Sequence, residues 1–580
     1  MATGSFAEGH VPEAGDSPEF SAEDAGLWLH VGARLIEQWR KFLVEIGETR
    51  EDKHTAVSGW IAQACTLASG WLGATPFAQI RPPADYLEQA EALWKQFAFP
   101  DSGEAPVLAM LGQTHRLFVE QLQAAAEATE GLGPFDRDRL QFAIGMLADT
   151  IDPANFPLTN PEVLARARKT GGESLVHGFE HLLADLRRGQ LTHSDPSAFR
   201  LGENLATTPG KVVHETQLYQ LIQYTPTTAK VLATPLVIFP PWINRFYILD
   251  LDPRKSFVRW TVEQGISTFM VSWKSADQSM ADVTWDDYIA AQIDAIDHIR
   301  QRLSVPSVHT IGYCVAGTTL AATLAILARR SEVENIESAT FLTAQVDFTE
   351  AGDLKHFIDD TTIAAVEQCS PQGYLDGRCM AAIFNLLRPR DLIWSFVRRH
   401  YLLGEDYRAF DMLHWNGDVT NLPARWQADY MRDLYRDNRL AEPDSLSALG
   451  TPIDLTRVDR PCYIQAGRED HIAPPSSVWK ATRHFRGPVT FVLAGSGHIA
   501  GVVNPPSRGK YQYWTNPDAA ESLEQFVSTA EEHPGSWWPH WLGWLRSHGR
   551  AEVAVRGKRK PGGRNDKVIE DAPGRYVRMR

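Results

Sequence analysis

The sequence predicts an α/β catalytic domain preceded by an α-helical N-terminal domain. Apolar residues recur at helical spacing before residue 200, whereas strand-like and helix-like runs alternate from residue 236 onward. Residues 1–22 are small, polar and acidic and read as a disordered tail. From Leu27, the residues Trp28, Val31, Leu35, Trp39, Phe42 and Ile46 fall mostly on one helix face. Helical patterns follow over 86–99, 108–128 and 179–186, giving an N-terminal domain over 23–200. The catalytic domain then spans 201–580. Its strands are read at 236–239, 268–272, 308–311 and 339–342, with a helix over 285–302. Between about 345 and 444 the pattern becomes aromatic-rich and helical before strands resume at Cys462, which reads as a cap inserted over the site.

The run Thr310-Ile311-Gly312-Tyr313-Cys314-Val315-Ala316-Gly317 ends a strand in a tight turn and opens a helix of small residues. This is the nucleophile elbow of an α/β-hydrolase with sulfur in place of oxygen. The helix N-terminus there favours a thiolate and an oxyanion. A buried structural cysteine at a strand–helix junction is the competing reading. Two later segments weigh against it. Cys462 to Ala466 forms a strand pattern running into a loop with Asp470, and Val489 to Ala494 another whose loop ends in His498. Nucleophile, acid, histidine is the chain order of that fold, and each residue follows the C-terminal end of a strand.

In an acyl-transfer reading, His498 is the general base for Cys314. Asp470 either orients His498 or deprotonates an attacking hydroxyl. The Val315 amide provides half of an oxyanion hole. The Ile243 amide, in Pro240-Pro241-Trp242-Ile243-Asn244, is the choice for the other half. His471 either touches substrate or holds the Asp470 loop. Trp415, Asn416 and Asp418 belong either to cap structure or to gating and substrate contact. His309 is read as a core histidine, and Cys369 and Cys379 as packing residues. The helical stripe from Trp28 and the Trp537-Trp538-Pro539-His540-Trp541 run are read as core, with a docking surface as the alternative.

Composition limits the classes further. The net charge of −15 excludes nucleic acid as a bulk electrostatic partner. The basic stretch Arg556-Gly557-Lys558-Arg559-Lys560 is read as a solvated linker. Five cysteines without metal-ligand spacing suit a reducing compartment, and no metal site is expected. Neither a signal peptide nor an apolar run of transmembrane length is visible, so a cytoplasmic protein is expected. The sequence lacks GxGxxG and GxxxxGK[ST] fingerprints.

Cys314 in IGYCVAGTTLA, Asp470 in AGREDHIAPP and His498 in GSGHIAGVVNPP resemble the polyhydroxyalkanoate synthases, above all their single-chain class I members. NFPLTNPE, GENLATTPGKVVHE, PPWINRFYILDL, HWNGDVTNLP and the terminal PGRYV extend the resemblance from about residue 100 to the end. Ala316 departs from the glycine of many elbows, and Pro475 stands where a tryptophan often follows the proline. The resemblance implies polymerisation of short-chain (R)-3-hydroxyacyl-CoA, first of all 3-hydroxybutyryl-CoA, with CoA release through an acyl-cysteine and no cofactor. It also implies a homodimer working on a growing polyester chain at the surface of polyhydroxyalkanoate granules, with granule-associated proteins as partners. A cysteine-dependent ester or thioester hydrolase of the same fold is the alternative, and a non-catalytic granule scaffold the third class.

Overall fold

A computed structural model describes residues 22–48, 66, 68–80, 107–518 and 520–580. The tail over 1–21 and the helix expected at 86–99 lie outside the described residues. Two compact units emerge. The first draws on described residues within 1–58, 75–189 and 388–406, and the second on those within 59–74, 190–387 and 407–580. This is not a single cut near residue 200: residues 388–406, counted on sequence with the cap, belong to the first unit, and residues 66 and 68–74 to the second.

The first unit is helical. It holds α1 (Ala22–Glu48), α2 (Val107–Ala128), α3 (Pro134–Thr150), α4 (Pro161–Lys169) and α5 (Glu173–Arg188). Local chemistry sets the ends: Asn160 caps α4 by accepting from the Glu162 and Val163 amides, with Pro161 at its first position, and left-handed Gly189 stops α5. The stripe on α1 packs as core on one side, where Val31 joins Val163, Ala167 and Leu175 with Trp28 and Leu35 against them. Phe42 is buried and stacks on Trp39, itself 41% exposed. Another face of α1 leaves Leu29 and Ile36 in the open. The side chain of Ile46 lies outside the described residues.

The second unit is built on an eleven-stranded mixed sheet. Its strands in chain order are β1 (Gly210–Glu215), β2 (Tyr219–Tyr224), β3 (Leu236–Phe239), β4 (Thr268–Trp273), β5 (Val308–Tyr313), β6 (Ile336–Leu342), β7 (Cys462–Gly467), β8 (Val489–Ala494), β9 (Gln512–Thr515), β10 (Glu531–Pro534) and β11 (Glu570–Asp571). In space they run β10-β9-β8-β7-β6-β5-β3-β4-β2-β1-β11. Neighbours from β4 to β8 are parallel and both flanks antiparallel. The central strands are mostly apolar and almost wholly buried because helices and loops cover both faces. Among those helices, α6 (Trp285–Leu303) starts on a Thr284–Asp287 capping box. Beside it, α7 (Val315–Arg329) is buried continuously from Val315 to Leu327, which is why its sequence is alanine, threonine and leucine with no polar face. A further helix, α8 (Trp538–Ser547), carries the tryptophan run. Helices at Asp360–Gln368, Gly377–Leu386 and Ala424–Tyr430 fill the insertion between β6 and β7.

The basic stretch corrects one expectation in part. Arg556, Gly557, Lys558 and Lys560 are exposed, but Arg559 is buried and donates to the carbonyls of Leu232 and Ala233 and to Ser267, so the segment is anchored on the packed unit. His309 sits in the core with Nδ1 2.8 Å from Ser338 Oγ, and burial pulls it down to about 3, leaving it neutral. Among the described residues no helix is long and apolar enough to cross a membrane.

The join of β5 to α7 depends on two glycines. A Cβ on Gly312 would lie 2.5 Å from the Gly317 Cα, and one on Gly317 2.5 Å from the Ala344 Cβ. We expect Gly317→Ala to destabilise the second unit by about 3 kcal/mol, the upper end for overpacking a core, read as an earlier midpoint in urea unfolding.

Candidate active site

Cys314 follows β5 at the end of the run and caps α7 with φ +53° and ψ −129°, a conformation a non-glycine residue adopts only when its surroundings impose it. Its amide donates to the Leu342 carbonyl at 2.9 Å, which ties the elbow to β6. Because the backbone turns so sharply, the thiol stands clear of the sheet while its neighbours Val315 and Ala316 are buried. Ala316 fits: its carbonyl accepts from Gln292 of α6 at 3.0 Å, and its methyl lies within the core.

Asp470 and His498 follow β7 and β8, which pair in parallel, and meet beyond the strand ends. His498 Nδ1 lies 2.7 Å from Asp470 Oδ2. Oδ1 of the same carboxylate accepts from the amides of Ile472 and Ala473, both at 2.9 Å. Both oxygens are thus occupied, and the side chain has no exposure. The Cys314 side chain acts on the same imidazole from its other side, so thiol, imidazole and carboxylate stand in sequence. Burial pulls the imidazole down. The charge of Asp470, the charge of an ionised Cys314 and the hydrogen bonds to both outweigh it and raise His498 well above the usual histidine value. With Nδ1 facing the carboxylate, Nε2 is the nitrogen turned to sulfur.

The loop carrying His498 is clamped from below. Tyr313 donates its hydroxyl to the His498 carbonyl at 3.0 Å. The Trp537 and Trp538 indoles donate to the carbonyls of Gly501 and Val502, and Trp541 of α8 to Thr340 of β6. The tryptophan run is therefore core, and its packing fixes the histidine loop.

Cys314 opens into an apolar pocket with a cavity volume of about 60 Å³. Val315 and Ile243 line it beside the sulfur, as do Ile472 and Ala473 of the Asp470 loop. Phe357, Met380, Tyr430 and Tyr435 of the insertion wall it. Val315 is the first residue of α7, so its N–H has no partner within the helix. The Ile243 loop is held by Thr420, whose hydroxyl is 2.6 Å from the Trp242 carbonyl and 2.7 Å from that of Ile243, and by Trp242 stacked on Tyr288. Thr420 and Tyr313 escaped sequence reading. Both lie inside motif blocks, but nothing in a block says which hydroxyl reaches which carbonyl.

Other predicted residues do not converge on the sulfur. Trp415 is buried and donates to the Arg245 carbonyl at 2.7 Å. Asp418 is buried too, accepting from Tyr247 at 2.8 Å and pairing with Arg245 and Arg580. Neither these nor Asn416 lines the pocket; Trp415 and Asp418 brace the segment after Ile243 and the C-terminus. His471 does not line it either. Its carbonyl accepts from the Asp353 amide at 3.3 Å, and a Cβ on Gly352 would come within 1.9 Å of it. Cys369, Cys379 and Cys462 are buried, and burial pushes all three thiols up, Cys379 to about 12. Of the described cysteines only Cys314 is partly accessible.

Sequence comparison places this geometry in a lineage. Residues 94–261 match the family model described as "Poly-beta-hydroxybutyrate polymerase (PhaC) N-terminus", and residues 261–505 that of the alpha/beta hydrolase fold. The poly(3-hydroxyalkanoate) polymerase subunit PhaC of Rhizobium meliloti is 43% identical over 84% of this chain and 80% of its own length. The chain belongs to the poly(3-hydroxyalkanoate) polymerase family. Similarity of the same order extends to the PhaC subunit of Cupriavidus necator, 44% identical over 77% of this chain and 76% of its own, and to the polymerase of Methylorubrum extorquens, 40% identical over 95% and 91%. The poly(3-hydroxyalkanoate) polymerase family thus accounts for both the helical N-terminal region and the hydrolase-type sheet.

Proposed function

We propose that this acyltransferase polymerises short-chain (R)-3-hydroxyacyl-CoA, 3-hydroxybutyryl-CoA foremost, into polyester with release of CoA through an acyl-Cys314 intermediate. The observation that carries this reading is a cysteine on a strained elbow, beside a hydrogen-bonded His498–Asp470 pair and opening into an apolar pocket. His498 Nε2 takes the thiol proton, and the thiolate attacks the thioester carbonyl. The Val315 and Ile243 amides bind the resulting oxyanion. As the tetrahedral adduct collapses, the carbon–sulfur bond to CoA breaks, and the departing thiolate takes the proton from His498. The 3-hydroxyl of the next acyl group then attacks acyl-Cys314 and gives its proton to His498. Ester forms, and the Cys314 thiolate leaves. Thioester to thioester is a near-level exchange, and thioester to ester runs downhill, so sulfur suits repeated transfer.

Asp470 is read as the group that orients His498, because its oxygens are already engaged by one imidazole and two amides. His471, Trp415, Asn416 and Asp418 are read as loop and segment supports. A homodimer at the surface of polyester granules belongs to the same proposal, and the exposed Leu29 and Ile36 of α1 are apolar groups suited to such a surface. Incubating the enzyme with (R)-3-hydroxybutyryl-CoA tests the reading: CoA and polyester together are expected, whereas CoA with only free 3-hydroxybutyrate makes this a hydrolase.

The oxyanion assignment has its own test. In Thr420→Val the two carbonyls that share its hydroxyl, one buried and one part-buried, lose their donor, at a cost of about 1–3 kcal/mol of stability. If the Ile243 amide binds the oxyanion, loosening its loop slows CoA release by up to about 10²-fold with little change in KM. Thr420→Ser keeps the hydroxyl and restores the rate. A Thr420→Val enzyme of unchanged kcat removes Ile243 from the oxyanion hole.

A further inference from the structure

We propose that the first unit carries a site for a divalent transition metal, built from His177, His181 and Asp406 and suited to Zn²⁺. One ligand atom from each residue lies within 4.8 Å of the others. The histidines are four residues apart on α5, so they share a face, and their ring centroids are 4.4 Å apart. Asp406 ends the 388–406 segment and comes from far along the chain, with Oδ1 3.0 Å from His177 Nε2. Ligands bonded to tetrahedral zinc at about 2.0–2.2 Å stand roughly 3.3 Å apart, so little movement is needed.

The surroundings are those of a ligand set. Metal-binding histidines commonly donate their second nitrogen to a carboxylate or a carbonyl, which fixes ring and tautomer. His181 Nδ1 lies 3.1 Å from the His400 carbonyl, making Nε2 its coordinating nitrogen. His177 Nδ1 lies 3.4 Å from Glu180 Oε2, and the other oxygen of Glu180 accepts from Gln38 of α1 at 2.8 Å. An ion pair between His177 and Asp406 accounts for one contact in this arrangement. It does not account for a second imidazole turned to the same place.

The backbone is shaped to bring these groups together. Gly178 lies directly after His177, and a Cβ there would come within 2.0 Å of the Tyr401 carbonyl. Gly404 has φ +62°, and its Cβ would come within 2.2 Å of the Ser174 carbonyl. Both glycines permit the close approach of the returning segment to α5 that delivers Asp406. That segment also holds two π-helical stretches, Arg390–Trp394 and Val397–Leu402, a form frequent at functional positions.

Two imidazoles and one carboxylate select zinc, nickel, iron or copper over magnesium or calcium, with water completing the shell. Bound there, the ion cross-links α5 to the 388–406 segment and stabilises the first unit, because it binds only the folded arrangement.

The experiment uses the full chain with Cys314→Ala, so that the catalytic thiolate adds no metal site, stripped by a chelator and titrated with zinc chloride in a calorimeter. One equivalent of Zn²⁺ per chain and a raised Tm are expected. A parallel Co²⁺ titration should show no thiolate-to-cobalt charge transfer. His181→Ala and Asp406→Asn should each weaken binding by more than about 100-fold and abolish the rise in Tm. Glu180→Gln keeps all three ligands and should weaken binding about 10-fold, which tests the site even if a ligand variant fails to fold. No bound Zn²⁺, or equal binding by the parent and the folded Asp406→Asn and Glu180→Gln variants, overturns the proposal.

Discussion

Cys314→Ala should lower CoA release from (R)-3-hydroxybutyryl-CoA by at least about 10⁴-fold and abolish polymer, the scale seen when a nucleophile that works as part of a unit is removed. Folding should survive. The amide that ties residue 314 to Leu342 belongs to the backbone, and the thiol is only partly buried, so the change in stability should stay within about 1 kcal/mol. An unchanged Tm with lost turnover is therefore the result that assigns Cys314 to chemistry. Cys314→Ser is more discriminating. Acylation of serine by a thioester is downhill and leaves an oxygen ester, and the next step becomes a level ester-to-ester exchange with a poorer leaving group. A burst of up to one CoA per chain followed by slow turnover is expected, in rapid-quench measurements. Steady polymerisation at the parent rate by the serine enzyme would remove the argument for sulfur.

The residues proposed for catalysis were legible because each announces itself locally. A glycine on either side of the cysteine is needed where strand and helix nearly touch, and that need is written in the sequence as small residues at fixed spacing. Asp470 and His498 could be read because each follows a mostly apolar strand, and strand ends are where open α/β sheets build sites. The supports were not legible in the same way. Trp415 and Asp418 stay open on sequence between cap structure and gating or substrate contact, since a polar-aromatic cluster in a cap has no periodicity to assign it. Only tertiary packing turns Trp415 toward the Arg245 carbonyl and Asp418 toward Tyr247. The excursion of 388–406 into the first unit was invisible for a related reason. Aromatic, arginine-rich helical sequence fits either unit equally well. The glycines that commit it there, Gly178 and Gly404, work through partners more than 200 residues away. Arg559 misled because a run of basic residues is usually solvated, and a single guanidinium within it finding three buried acceptors leaves no pattern.

Asp470→Asn separates two mechanisms that the wild-type enzyme keeps together. If Asp470 acts by orienting His498, acylation and elongation both need it, and both should fall together by about 10²–10⁴-fold. Single-turnover CoA release reads the first step, and chain growth from preformed acyl-enzyme the second. Loss of elongation with acylation preserved would instead make the carboxylate the base for the attacking hydroxyl. The geometry favours the common loss, since both carboxylate oxygens are already engaged, by two amides and an imidazole. The pH profile adds an independent sign. In the parent, Asp470 and ionised Cys314 raise His498 well above its usual value, so imidazolium persists as pH rises and can protonate departing CoA. Asparagine removes the carboxylate charge while burial still pulls the imidazole down. The folded-state value must drop, and the alkaline limb of kcat/KM must move to lower pH. The same shift has a stability consequence. A histidine raised in the folded state contributes stability that is fully present below its unfolded value, about 6.5, and is lost as pH climbs through the folded value. The stability lost in Asp470→Asn should therefore be larger at pH 6 than at pH 9. An alkaline limb that stays in place in the variant would mean that the imidazolium of His498 is not what the limb reports.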